Sequence, residues 1–312
     1  MRALTLAGLA MTAAIAVAAP ARAEEKPQIE SAFRLMYELR FDAARTEIVA
    51  YRRAHPEDPL GAAAEAASYL FEEFDSEGVL TSKFFLDDDR LLGGIQGHPD
   101  PERRTAFLAA NENARKMARE RMQANADDPD GLFVLTLADG MQGDFEALIE
   151  KHQLSALSLI RRAEKEAARL LSVRSDALDA YLALGAANYI IGCMPGYKRF
   201  LLWFGGVRGD RQRGMDQLRL TAERGHYLQP LAKLMLALAA EREHQGALAL
   251  RLFEELSRQF PANPVFVPLK PTPPPMRAAG IPRSDDRRTR RRRISLGDQP
   301  LCDRCHRGDD SR

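Results

Sequence analysis

Apolar residues recur at helical spacing along most of this chain, and no convincing run of β-branched residues alternates as a half-buried strand would. Ile29, Phe33, Met36 and Tyr37 follow that spacing, as do Ala44, Ile48 and Tyr51. Leu154, Leu157, Ile160 and Ala163 repeat it, followed by Leu231, Leu234 and Leu238, then Leu248, Leu252 and Leu256. Pro27, Pro59, Pro129 and Pro230 stand where helices would begin, because a first turn tolerates proline. Gly192, Gly225 and Gly246 stand near expected ends. With 45% hydrophobic and 29% charged residues the chain can bury a sizeable core, which excludes a wholly disordered or collagen-like protein. An all-α fold is expected.

A second regularity lies above the helical one. Ala249-x3-Phe253-x2-Leu256-x4-Pro261 ends the helical region, and Ala44-x3-Ile48-x2-Tyr51-x4-Pro56 opens it with the same spacing. Tyr181-x2-Leu184-Gly185, Leu132-x2-Leu135, Ala156-x3-Ile160-x2-Ala163 and Gly214-x3-Leu218-x2-Thr221 are partial copies. Small residues at Ala44, Ala156, Gly185 and Ala249 let paired helices approach, while Phe253 and Ile48 fill the groove between them. One such hairpin cannot cover its own apolar face, so neighbours must stack.

These spacings resemble those of the tetratricopeptide-repeat (TPR) family over about Pro27 to Asn263, as five degenerate hairpins of which two match well. The resemblance implies an α-solenoid with a concave face and a role in binding a protein segment or peptide; it implies no chemistry. Departures from the repeat fall between the two helices of the three middle units, at approximately Asp75–Pro99, Gly143–His152 and Gly192–Arg208. Inserts at equivalent points emerge on one edge of a solenoid and either build a binding surface or brace neighbouring helices. The last of them carries Tyr197, Lys198, Arg199, Phe200 and Trp203. Such a segment could enter a partner's groove, rest on a lipid headgroup layer as a peripheral contact, or fold back as a plug. Tyr, Trp and Arg are the residue types most enriched at binding hot spots.

The two ends of the chain read differently from this body. Residues 1–23 have a basic Arg2, an uncharged Ala/Leu-rich stretch and a Pro20-Ala21-Arg22-Ala23 cleavage signal, the pattern of a signal peptide. A periplasmic or secreted protein is expected, with no transmembrane span once the signal is removed. Residues 24–264 carry 31 basic and 38 acidic residues, a net of −7, which gives no reason to expect nucleic-acid binding. Residues 265–312 carry 12 basic and 6 acidic residues, four prolines at 271 and 273–275, and no aromatic after Phe266. That composition cannot bury enough apolar area to offset chain entropy, so the tail is expected to be disordered.

Patterns of catalytic chemistry are mostly missing. No His-Glu-x-x-His, Gly-x-Ser-x-Gly or P-loop occurs, and Asp87-Asp88-Asp89 lacks the glycine and terminal glutamate of an EF-hand loop. Asp210, in Arg208-Gly209-Asp210, reads as a helix N-cap. Cys302-Asp303-Arg304-Cys305-His306 spells the attachment pattern of c-type haem, which would make the chain an electron-transfer protein. Its surroundings supply no apolar pocket, and a Cys302–Cys305 disulfide or two plain thiols are the other readings. The expected function is a non-enzymatic scaffold without cofactor, its partner an unidentified protein or peptide. The alternatives are the haem protein and an enzyme with its site in the inserts.

Overall fold

A computed structural model describes residues 28–81, 84, 87, 93–194 and 209–266. Contacts divide the chain into residues 1–269 and 270–312, and all described residues belong to the first unit. They form an all-α fold of ten α-helices. These are α1 (Ile29–Tyr37), α2 (Phe41–Ala54), α3 (Pro59–Ser76), α4 (Pro101–Ala124) and α5 (Pro129–Leu148). They continue as α6 (Gln153–Val173), α7 (Tyr181–Cys193), α8 (Arg211–Arg224), α9 (Gln229–Arg242) and α10 (Gly246–Gln259). Consecutive pairs make five hairpins, each packed on the next.

Local chemistry sets the helix starts. Asp58, Asp100 and Asp128 each precede a proline at the first helical position. Their carboxylates accept the free N–H groups of Leu60, of Glu102 and Arg103, and of Gly131, which no helical carbonyl can reach. Asp210 caps α8 in the same way through the N–H of Arg213, 3.0 Å away. At the other end, the first helices of hairpins 1, 3 and 5 stop at a single left-handed residue: Leu39, Lys151 and His244, with φ near 60°. In hairpins 1 and 5 the next N–H folds back five residues, Arg40 to the carbonyl of Leu35 and Gln245 to that of Ala240. This closes the helix as a Schellman turn. Gly78 (φ 67°) and Val79 make the same closure at the end of α3.

Burial is distributed over two main cores. Hairpins 1–3 enclose an aromatic-rich core that includes Phe33, Phe74, Phe107 and Phe145. Hairpins 4 and 5 enclose a second one of Leu218, Leu236, Leu252, Phe253 and Leu256, with many alanines. Ala249 and Phe253 are buried where the repeat spacing puts them. Gly185 of α7 and Gly214 of α8 face each other so closely that a Cβ on either would meet the opposite backbone. Between hairpins 3 and 4 the described core narrows to Leu132, Ala167, Leu170 and Ala180.

The joint between hairpins 2 and 3 is polar instead. Asp139, 2% exposed, accepts from Arg115 at 2.6 Å and from Arg162 at 3.0 Å. Asn111, fully buried, donates to the carbonyl of Ala138 and to the side chain of Gln142. The Asp139 charge and the Asn111 amide nitrogen thereby find counterparts, without which they would cost several kcal/mol, while Asn111 Oδ1 and Arg115 Nε are left without a hydrogen bond.

The first hairpin also touches the last. The Tyr37 hydroxyl donates to the carbonyl of Tyr227 at 2.9 Å, and Asn263 donates to the carbonyl of Tyr37 at 2.7 Å. The ring of Tyr227 lies between those of Phe33 and Phe133, and Tyr37 meets Phe260. Leu228 is buried in the core of hairpins 1–3.

Three sequence expectations change. Gly143–His152 is not an insert: α5 runs to Leu148, α6 starts at Gln153, and a short turn joins them. Gly143 faces Ile160 and Ala156 of α6, so it marks a close helix approach and not a break. Val265 and Phe266 belong to the body and not to the tail: Phe266 is 3% exposed and its ring packs on Phe260. Leu154 keeps helical spacing but is 86% exposed; the buried face of α6 is Ala156, Leu159, Ala163, Ala167 and Leu170.

Candidate interaction surface

Two ion pairs tie the helices that follow the long connections within hairpins to the compact turn of the next hairpin. Hairpins 1, 3 and 5 make the connection with the short turns just described. Hairpins 2 and 4 carry true inserts, residues 77–100 and 194–210. Insert and compact turn therefore alternate along the chain.

At each insert, described residues in or beside it reach the hairpin that follows. At the first, the N–H of Ile95 donates to the carbonyl of Leu148 at the end of α5, and Ile95 is buried. Gly94 (φ 73°) permits this, since a Cβ there would overlap that carbonyl. Gly97 lies against the Glu77 carboxylate. Arg104, in the first turn of α4, pairs with Glu150 of the next compact turn at 2.7 Å. At the second insert, Gly209 and Gly192 bring the two ends of the segment into backbone contact, with no room for a Cβ on Gly209. Arg211, which opens α8, donates to the carbonyl of Gly192 at 2.9 Å and to Glu243 of the next turn at 3.3 Å. Arg104 with Glu150 and Arg211 with Glu243 are thus the same device used twice.

Around the second neck, the Tyr189 hydroxyl contacts the Ala239 carbonyl and Glu243. Burial, then the neighbouring Cys193, pushes its phenol well above the ordinary value. Cys193 is a half-buried free thiol. On α5, Asp144 reaches solvent, yet the protein crowded around it pushes the carboxyl up to about 7. Leu154 adds an exposed apolar side chain just after the compact turn of hairpin 3.

Tyr197, Lys198, Arg199, Phe200 and Trp203 lie outside the described residues, as do Cys302, Cys305 and His306. So do the signal segment and the Pro/Arg-rich tail beyond Phe266. Among the described residues no cluster of three His, Cys, Asp or Glu could hold a metal ion, and no helix is long and apolar enough to cross a membrane. Sequence reasoning missed the two Arg–Glu mounts. Only the acidic half carried a signal: Glu38, Glu77, Glu150 and Glu243 each precede the left-handed residue of a turn, while nothing in the sequence marks the two arginine partners. No family model, curated protein or solved structure matches the chain.

Proposed function

We propose that the chain is an exported, non-enzymatic TPR-like scaffold that binds a protein segment or peptide, at work in the periplasm or outside the cell. The binding surface on this reading is the insert-bearing edge, with Tyr197, Arg199 and Trp203 as its anchors and Lys198 and Phe200 beside them. One observation carries it. A hairpin of this array needs only a short turn, yet hairpins 2 and 4 each have 17 or more residues there, and the helix after each is tied to the next hairpin by an Arg–Glu pair. Loops positioned by a rigid scaffold are the usual carriers of recognition. The opposite edge is less available, because Tyr227 and Leu228 fill the space between hairpin 1 and hairpin 5.

The test is a peptide-display selection against the purified body, followed by Trp203→Ala. Affinity for selected peptides should fall by about thirtyfold or more, the hot-spot scale, while the melting temperature stays within a degree or so of the parent. A large fall in melting temperature with native affinity below it would make the insert a plug and remove it from the binding surface.

A further inference from the structure

We infer that the array is a hinge with a latch: hairpins 1–3 and hairpins 4–5 move as two bodies about the α6–α7 joint, and the contact between hairpin 1 and hairpin 5 holds them shut. This goes beyond the scaffold reading and does not depend on it.

The cores locate the two bodies. Each is continuous within itself, and among the described residues the covalent joint between them is covered by Leu132, Ala167, Leu170 and Ala180 with their partly buried neighbours, and by Leu182, which touches both cores. Three of the first four are Ala or a single Leu on α6 and the turn before α7, so little apolar area opposes rotation there. Motion between packed bodies follows the sparsest interface.

The latch is built differently from the joint. Residues 225–228 form a peg whose tip, Tyr227 and Leu228, enters the core of hairpins 1–3. A buried carboxylate shapes the peg: Asp179 accepts the N–H groups of His226, Tyr227 and Leu228 at 2.9, 2.9 and 3.2 Å. The carbonyl that the peg presents outward, that of Tyr227, is taken by the Tyr37 hydroxyl. Asn263 then grips the Tyr37 carbonyl, and His226 lies 3.3 Å from Glu30 at the solvent edge. The closure therefore combines a few directional bonds with the buried Leu228 side chain and the rings of Tyr227 and Tyr37. Beside it the seam is incompletely filled. A small groove, with about 30 Å³ of water-accessible space, is lined by Phe33, Met36, Phe71, Leu231, Leu234 and Phe266, residues drawn from both bodies. Opening the latch would widen that groove and withdraw Leu228 from the first core, leaving the rest of both cores in place.

Tyr37→Phe removes one hydroxyl and leaves the packing intact, so hydrogen exchange on the full chain can test the device. Amides of the peg (226–228) and of the joint (174–180) should exchange faster by a common factor, roughly five- to tenfold, the effect of one ordinary hydrogen bond. Amides of α3, α5, α9 and α10 should keep their parental rates. Acceleration confined to the peg would mean local fraying and would overturn the hinge. Acceleration of every helix together would mean global unfolding, and no change at all would mean that the hydroxyl holds nothing shut; either overturns it too. Spin labels at Glu57→Cys and Glu223→Cys, with the native cysteines replaced by serine, give a second reading. The distance distribution should gain a longer component in Tyr37→Phe, and an identical single distribution in parent and variant contradicts the proposal.

Discussion

Hairpins 1–3 and hairpins 4–5 are built on the same pairing of helices but reach specificity by different means. The first body stacks phenylalanines and then places a polar network, Asp139 with Arg115 and Arg162 and Asn111 with Gln142, in the joint between hairpins 2 and 3. The second has its own amide pair, Asn188 with Gln217, but among the described residues no buried carboxylate shared by two arginines, and it relies on leucines against alanines, with Gly185 and Gly214 in backbone contact. A polar joint tolerates one register, because a shifted neighbour leaves charges buried and unpaired. A small-against-large joint tolerates one distance, because a single added methyl meets backbone.

The comparison can be broken at the second body first. Phe253→Ala should cost about 3–5 kcal/mol, the range for a buried aromatic. Protection from hydrogen exchange should be lost in residues 211–259 and retained in α3 and α5, as in arrays that lose stability unit by unit. Simultaneous loss throughout would show one cooperative core instead of two. In the first body, Asp139→Asn keeps an acceptor but removes the charge that two arginines share. A loss of about 2–3 kcal/mol is expected from the urea midpoint, the scale of a hydrogen bond to a charged group. A fall of less than half that would mean the arginines are satisfied elsewhere, and the contrast between the bodies would lose its basis.

The smallest effect concerns pH. Asp144 has its folded-state carboxyl raised from 3.8 to about 7, so its neutral form is favoured by folding. The stability it contributes is complete below about pH 4 and is lost as pH rises through 7. Because the side chain reaches water, the gain from Asp144→Asn should be small: a slightly higher melting temperature at pH 8 that shrinks to nothing near pH 4. A constant offset at both pH values would trace to packing and not to ionisation.

Much of the helical pattern was legible because helices are local. The Ala249–Phe253 contact is set by spacing along one helix, and both residues are buried as that spacing requires. Asp210 as a cap was equally readable, since an N-cap reaches only three residues ahead. The supposed insert at 143–152 failed for a physical reason. A glycine inside a helical pattern can mean a stop or a close approach, and only the position of Ile160 on the partner helix decides between them. Phe266 reads as tail because prolines flank it and a Pro/Arg-rich stretch follows, although its ring packs on Phe260. Of the candidate surface, the sequence revealed that extra residues exist but not how they are mounted. Arg104 and Glu150 belong to different hairpins, and no periodicity relates them.

The contact between the two ends bears on how the chain is made. Tyr37 waits 190 residues for the carbonyl it binds and 226 for the side chain of Asn263. A ribosome releases the first hairpin early, and a growing chain folds its earlier parts first. Phe33 and Met36 must therefore remain without their final neighbours until nearly the whole helical region has been synthesised. Helical repeats ordinarily fold from local contacts, quickly and from any starting point. This array adds one distant contact that can only be the last to form. Truncation before Asn263 would then leave the opening hairpin without its partner, so the price of closure is a nascent chain whose beginning stays sticky until its end arrives.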